Sequence, residues 1–410
     1  MIIIEMLLTR QHRTFKTAFA VFTILFIETA IAQDFSPRWS NGYKVESADK
    51  NFKMKFGGRI MFDAAFFFQE DTVAKTFGNL NNGVEFRRAR FFNSGQIYNN
   101  VKYQLQLEFA GGDIAFKDVF IEFTKLPGVG NFRVGHFKEP FRLDVMTSSK
   151  YMQFMERSFH VDFFADRNSG FLFYNSYNDQ RFAWQAGIFR RGDGAGNDPT
   201  ADDGYNITGR ITALPVLNKE KKQRLHLGVA YSYRKPESRS FEISPKPEAH
   251  LGTEYIGTDS IGNVDNVILL GTELALDIGS FAIQAEYIQA TVTDRFSTSL
   301  PALPTYYVQL SYFLTGETRH YKSSYTGMGR PKIKKNFGQK GGSGAWEVAL
   351  RYSSVDFDNE ILTGGSQSDI TIGLNWYPNP ATRVMANYIL ATLNNLGTVG
   401  IFQMRFMMDF

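Results

Sequence analysis

Residues 52–68 read FKMKFGGRIMFDAAFFF, and this stretch decides the fold. Its even positions are Phe52, Met54, Phe56, Gly58, Ile60, Phe62, Ala64, Phe66 and Phe68, while the odd ones begin Lys53, Lys55, Gly57, Arg59, Met61 and Asp63. Successive side chains of a β-strand point to opposite faces, so this strand is greasy on one side and charged on the other. Strands of soluble proteins run about five or six residues. The alternation here lasts about 17, and phenylalanine on the apolar face suits a wall between lipid and water.

The pattern recurs along the chain. Val101, Tyr103, Leu105, Leu107 and Phe109 alternate with Lys102, Gln104, Gln106 and Glu108. Trp346, Val348, Leu350 and Tyr352 alternate with Glu347, Ala349, Arg351 and Ser353. About sixteen such segments can be counted, centred near residues 60, 90, 105, 120, 134, 172, 185, 209, 229, 272, 286, 310, 350, 373, 386 and 405. The expected fold is all-β: a transmembrane antiparallel up-and-down β-barrel of about 16 strands over residues 52–410, preceded by a periplasmic segment at 33–51. Short connections alternate with long ones at 138–168, 235–266 and 316–343, and the long ones are expected outside.

Composition agrees. Aromatics make up 15% of the 410 residues, and the chain contains no cysteine. Mean hydropathy is −0.25. After residue 32 no apolar run approaches the roughly 20 residues of a membrane helix. The net charge of +4 comes from scattered Lys and Arg, not from the patch or stripe of a nucleic-acid-binding face.

Both termini read as sorting signals. Arg10, Arg13 and Lys16 precede the apolar stretch TAFAVFTILFIETAIA at 17–32, which ends in Ala30-Ile31-Ala32, a small-x-small cleavage pattern. Residues 1–32 are therefore expected to be a removed signal peptide; Met6 is an alternative start. A membrane anchor is the competing reading, and Glu28, the short length and the cleavage pattern oppose it. At the other end Phe402, Met404, Phe406, Met408 and Phe410 line one face of a final strand. A terminal aromatic there is the expected signal to the barrel-assembly machinery.

FRRARFF at 86–92 breaks the rule of two. Arg88 and Arg90 share parity with Phe86 and Phe92, whereas Arg87 falls on the other face. A regular strand cannot send all three arginines to the lumen; a β-bulge would.

The chain resembles the phosphate-selective porin O and P family. The resemblance is carried by GGR at 57–59, FRRAR at 86–90, VGHFKEPF at 134–141, TSSKYMQFMERS at 147–158, FLTGETRHY at 313–321, GAWEVALRYS at 344–353 and GLNWYPNP at 373–380. It implies a trimeric sixteen-stranded barrel in the bacterial outer membrane whose third external loop, at 138–168, folds inward. It also implies an anion site of Arg59, Arg87, Arg88, Ser148, Ser149 and Arg157. Lys55, Arg90, Lys117, Arg133, Lys138 and Arg142 are further candidates for the pore lining. Guanidinium groups suit phosphate because they bind its oxygens in pairs and stay charged. The expected partners are inorganic anions such as phosphate, outer-membrane lipid and lipopolysaccharide, the assembly machinery and two further copies of the chain. No cofactor, metal or nucleic acid is expected.

Departures from the family pattern weaken phosphate specificity more than anion preference. Val145 stands where phosphate-specific members carry lysine, and Lys117 replaces an acidic residue, although Asp118 is adjacent. The dense arginine ladder of the fifth loop is reduced to scattered Arg234, Lys235, Arg239 and Lys246. General diffusion of small solutes is thus an alternative, and a structural or adhesive surface barrel is another. The basic segment with Arg330, Lys332, Lys334, Lys335 and Lys340 has three readings: an anion funnel, a contact for lipopolysaccharide phosphates, or an ordinary solvated loop. A barrel phospholipase would need Ser, His and a polar orienter together, and the six histidines fall in no triad pattern.

Overall fold

The computed structural model describes residues 35–39, 42–159, 166–192, 195–196 and 204–410. The expected signal peptide lies outside these residues. A short hairpin, β1 (Phe35–Trp39) and β2 (Tyr43–Ser47), lays β2 against the start of β3 (Phe52–Gln69). The wall continues through β4 (Gly83–Ile97), β5 (Val101–Glu108), β6 (Ala115–Leu126), β7 (Gly130–Lys138), β8 (Arg167–Tyr177) and β9 (Phe182–Arg190). It goes on through β10 (Tyr205–Asn218), β11 (Gln223–Lys235), β12 (Val264–Ile278), β13 (Phe281–Asp294) and β14 (Leu303–Phe313). A small hairpin, β15 (His320–Ser323) and β16 (Gly327–Gly329), interrupts it before β17 (Ala345–Asp358), β18 (Thr363–Asn379), β19 (Thr382–Leu393) and β20 (Gly397–Asp409). Every neighbour in the wall is antiparallel, and β20 pairs back onto β3, so sixteen strands close into a barrel. Each strand centre expected from the sequence falls within one of them.

Alternation sets the two faces. On β3, Ile60 and Phe68 are 40% and 61% exposed, whereas Arg59 and Asp63 are 7% and 4% exposed. The exposed apolar set faces lipid; the covered polar set faces inward. The seam explains GGR. Gly58 N donates to Phe410 O at 2.7 Å, and Phe410 N donates to Gly58 O at 3.2 Å. A Cβ on Gly57 would lie 2.4 Å from Phe410 O, and one on Gly58 would lie 2.6 Å from the Phe410 ring. The last residue closes the barrel only because these two positions lack side chains.

One expectation about the connections fails. Residues 98–100, 127–129, 178–181, 219–222, 279–280 and 380–381 are short turns at one end of the barrel. The segment 314–344 follows β14, which runs toward that same end. Strand parity, not loop length, fixes the end at which a connection lies in an antiparallel wall. This basic segment therefore belongs to the turn side, which faces the periplasm, and its reading as a lipopolysaccharide contact fails. The segment touches inward wall residues: Arg210 Nη1 donates to Ser324 O of the β15–β16 hairpin at 2.7 Å, and Arg319 Nη2, just before it, donates to Gln284 Oε1 at 2.8 Å.

The loop side fills much of the lumen. Inward residues Ile288, Val355, Phe357, Ile389 and Ile401 pack against Ile243, Tyr255 and Ile256 from the connection after β11. Glu248 of the same connection ties to Arg351, and Thr371 Oγ1 donates to it at 2.8 Å. Buried charge is tolerated because it is paired; breaking such a pair costs about 3–5 kcal/mol.

Candidate functional site

The site begins with a slip in a ladder. Met61 pairs with Arg88, but Phe62 pairs with Phe86, so Arg87 is the extra residue of a β-bulge. Parity reverses there. Val84 and Phe86 before it and Phe91 after it all face outward, exposed, while Arg87, Arg88 and Arg90 all reach lumen partners or the central cavity. A second slip, between Leu105 and Leu107 of β5, sets Lys117 and Asp118 opposite Gln106.

The segment after β7 supplies the facing wall. One helical turn, α1 (Leu143–Met146), buries Leu143, Val145 and Met146, and Thr147 Oγ1 donates back to Leu143 O at 2.9 Å. The chain beyond it is pinned to inward strand residues: Asn375 Nδ2 donates to Gln153 O at 2.9 Å, and Arg405 Nη1 to Met155 O at 2.5 Å. The hairpin from the turn side meets this segment, with Met328 N donating to Thr147 Oγ1 at 3.1 Å.

Between these walls lies a cavity of about 390 Å³. Ten cationic side chains line it against two acidic ones, Asp118 and Asp166. Four of the cations are held directly by carboxylates. Arg90 pairs with Glu108, and Arg133 donates to Glu122 at 2.8 Å. Arg167 holds Asp118 at 3.1 and 3.2 Å and also contacts Asp166. Lys150 donates to Asp409 at 3.1 Å, which Arg330 also holds. Arg59 is different: its Nη1 donates to the hydroxyls of Ser148 at 3.3 Å and Ser149 at 2.8 Å, with no carboxylate. Arg88 makes no hydrogen bond among the described residues, and its buried Nε has no partner. Arg157 donates to Asp144 O at 3.1 Å and Thr147 O at 3.0 Å, with the Asp144 carboxylate at 3.9 Å. Burial and the Arg59 charge push the Lys150 ammonium down to about 8.

The expected residues thus divide. Arg59, Arg88, Ser148, Ser149 and Arg157 meet in the cavity, and Lys55, Arg90, Arg133 and Lys138 line it too. Arg87 faces inward but does not line it; its Nε and Nη2 grip Glu156 at 2.8 and 2.9 Å. Lys117 and Arg142 also stand outside the lining, and Arg142 is 1% exposed. Both were expected to face the pore from their place in the sequence. A packed loop root buries Arg142, and Lys117 stays among the charges of Arg90, Arg167 and Glu108 just outside the lining.

The family model for phosphate-selective porin O and P matches residues 54–410. The chain belongs to this family. Porin O of Pseudomonas aeruginosa is 26% identical over 90% of this chain and 89% of its own length. An uncharacterized protein of Caulobacter vibrioides is 28% identical over 85% and 70%. Among solved structures, an anion-selective porin from Comamonas acidovorans shares the fold with a TM-score of 0.54 and 12% identity, covering 88% of this chain and all of that one. Family and fold place the porin in the bacterial outer membrane as a channel.

Sequence reasoning missed three lining cations of this porin. Lys150 directly follows the serine pair in TSSK, a signal that was available. Arg167 opens β8 and neutralises Asp118, so the acidic residue beside Lys117 is kept, with its own cation. Lys322 comes from the turn-side hairpin, which only the fold brings here.

Proposed function

We propose that the porin passes inorganic anions, phosphate first, through a constriction formed by Arg59, Arg88, Arg157 and the serine pair Ser148–Ser149. The observation that carries this is the cluster's charge state: Arg59 holds only hydroxyls and Arg88 nothing among the described residues. Phosphate oxygens can replace those weak partners, and rings of Arg or Lys select anions. The family's name and the name of the Comamonas porin support the reading. So does the trimer form recorded for OmpT of Vibrio cholerae, which favours three copies here. Phe410 at the closing seam supports its role as the signal to the assembly machinery.

Reversal potential of single trimers in a potassium chloride gradient tests the selectivity, and block of chloride current by added phosphate tests the site. Anion preference without block would favour the second reading, a less specific small-solute pore. The Glu156 carboxylate beside Arg87 favours that second reading.

A further inference from the structure

Lys138 ends β7 at the root of the loop and lines the cavity. There it donates to Val145 O and, at 3.2 Å, to Thr147 O. Both carbonyls lie within three residues of the serine pair. Arg157 Nη2 donates to the same Thr147 O at 3.0 Å. Two cations therefore converge on one carbonyl, next to the hydroxyls that Arg59 holds from the opposite side. A lysine ammonium has three donors. Two are used, and the third has no acceptor among the described residues. Carbonyls do not cancel the charge; Arg167 holds the Asp118 carboxylate and Asp166 Oδ2, and Asp166 attracts Lys138 without a hydrogen bond to it.

We infer that Lys138 is a direct anion ligand of the constriction, giving its third N–H to a phosphate oxygen and fixing how strongly phosphate is preferred over chloride. This rests on the cavity being the phosphate site. The carbonyls act as a mount: they hold the ammonium on the loop side of the cavity, so that phosphate is gripped by Arg59 and Arg88 from the strands and by Lys138 across from them. A monatomic chloride cannot span both walls, whereas a tetrahedral oxyanion can. Lys138 thus contributes to phosphate affinity more than to anion preference as such.

Phosphate block of chloride current is measured on folded trimers of the full chain carrying Lys138→Gln and Lys138→Arg. Glutamine keeps N–H donors for the two carbonyls but removes the charge. Lys138→Gln should weaken phosphate block about tenfold, about 1.4 kcal/mol, while anion preference in chloride falls but is not lost. Lys138→Arg should keep most of the block. Wild-type block in Lys138→Gln would overturn the inference, and equal loss in both variants would mean that the lysine only holds the loop, which also overturns it. If Lys138→Gln yields no folded trimer, Met146→Glu decides. Met146 lines the cavity and stands between Val145 and Thr147 in the sequence, so a carboxylate there would compete for the third donor. Unchanged block in that variant would refute the role. Absence of phosphate block in the wild type would sink the phosphate site itself, and Lys138 with it, and so is distinguishable from an unaffected Lys138→Gln.

Discussion

Arg87 and Glu156 form a two-pronged ion pair, Nε to Oε1 at 2.8 Å and Nη2 to Oε2 at 2.9 Å, at the edge of a cluster otherwise short of carboxylates. Glu156 also accepts from Arg405 Nη2 at 2.7 Å. A resident carboxylate thus occupies the Arg87 guanidinium, whereas Arg405 is also held by both oxygens of Asp63. Its own proton is lost far below the usual carboxylate range, because Arg87 and Arg405 outweigh its burial.

Glu156→Gln should therefore raise anion preference while lowering stability. Arg87, freed, adds positive field, while Arg405 keeps Asp63; breaking a buried pair costs about 3–5 kcal/mol. Reversal potential should move toward the chloride equilibrium value, and trimers should unfold at lower temperature on heating. An unchanged reversal potential would show that this pair lies outside the ion path.

Arg59→Glu combined with Arg88→Glu should turn anion preference toward cations and abolish phosphate block. The two side chains are the cavity guanidinium groups without a carboxylate partner, and charges in a narrow pore are poorly screened compared with surface charges. A double variant with wild-type reversal potential and block would refute the site.

Raising pH from 7 to 9 should weaken anion preference. Lys150 sheds its proton near 8 instead of at the ordinary 10.5. Its charge is present below about 8 and lost above it. Stability runs the other way: between about 8 and 10.5 the unfolded chain binds the extra proton, so this group makes folding more favourable as pH rises. Lys150→Met should flatten the pH dependence of the reversal potential, and a profile as steep as wild type would assign the titration elsewhere.

Gly58→Val and deletion of Phe410 should damage the same seam. The valine side chain would collide with the Phe410 ring, 2.6 Å from a built Cβ. Both changes should cut the yield of folded, heat-modifiable trimer in the outer membrane several-fold or more. Normal yield in either would separate closure from the glycine or from the terminal residue.

Lys332→Cys should react with a membrane-impermeant thiol reagent added on the turn side of a bilayer. The chain has no native cysteine, so the signal is unambiguous. Modification only from the loop side would invert the placement of residues 314–344.

The sequence by itself determined the barrel. A period of two repeated over sixteen segments needs no tertiary information, because each strand carries its own lipid face and lumen face, and a final aromatic marks the end. Its family resemblance pointed to Arg59, the serine pair and Arg157, and its alternation posed the problem at Arg87–Arg88 whose answer is the bulge. What it could not contain was partnership across the lumen. Arg87, Arg90 and Arg133 read like Arg88 along the chain, yet three are matched by Glu156, Glu108 and Glu122 while Arg88 is left without a hydrogen-bond partner among the described residues. The end at which residues 314–344 emerge was hidden as well, because loop length carries no direction. Pairing of charges and the meeting of two loops are decided by strand register and closure, which bring together residues as far apart as Asp63 and Arg405, 2.7 Å from each other at the seam.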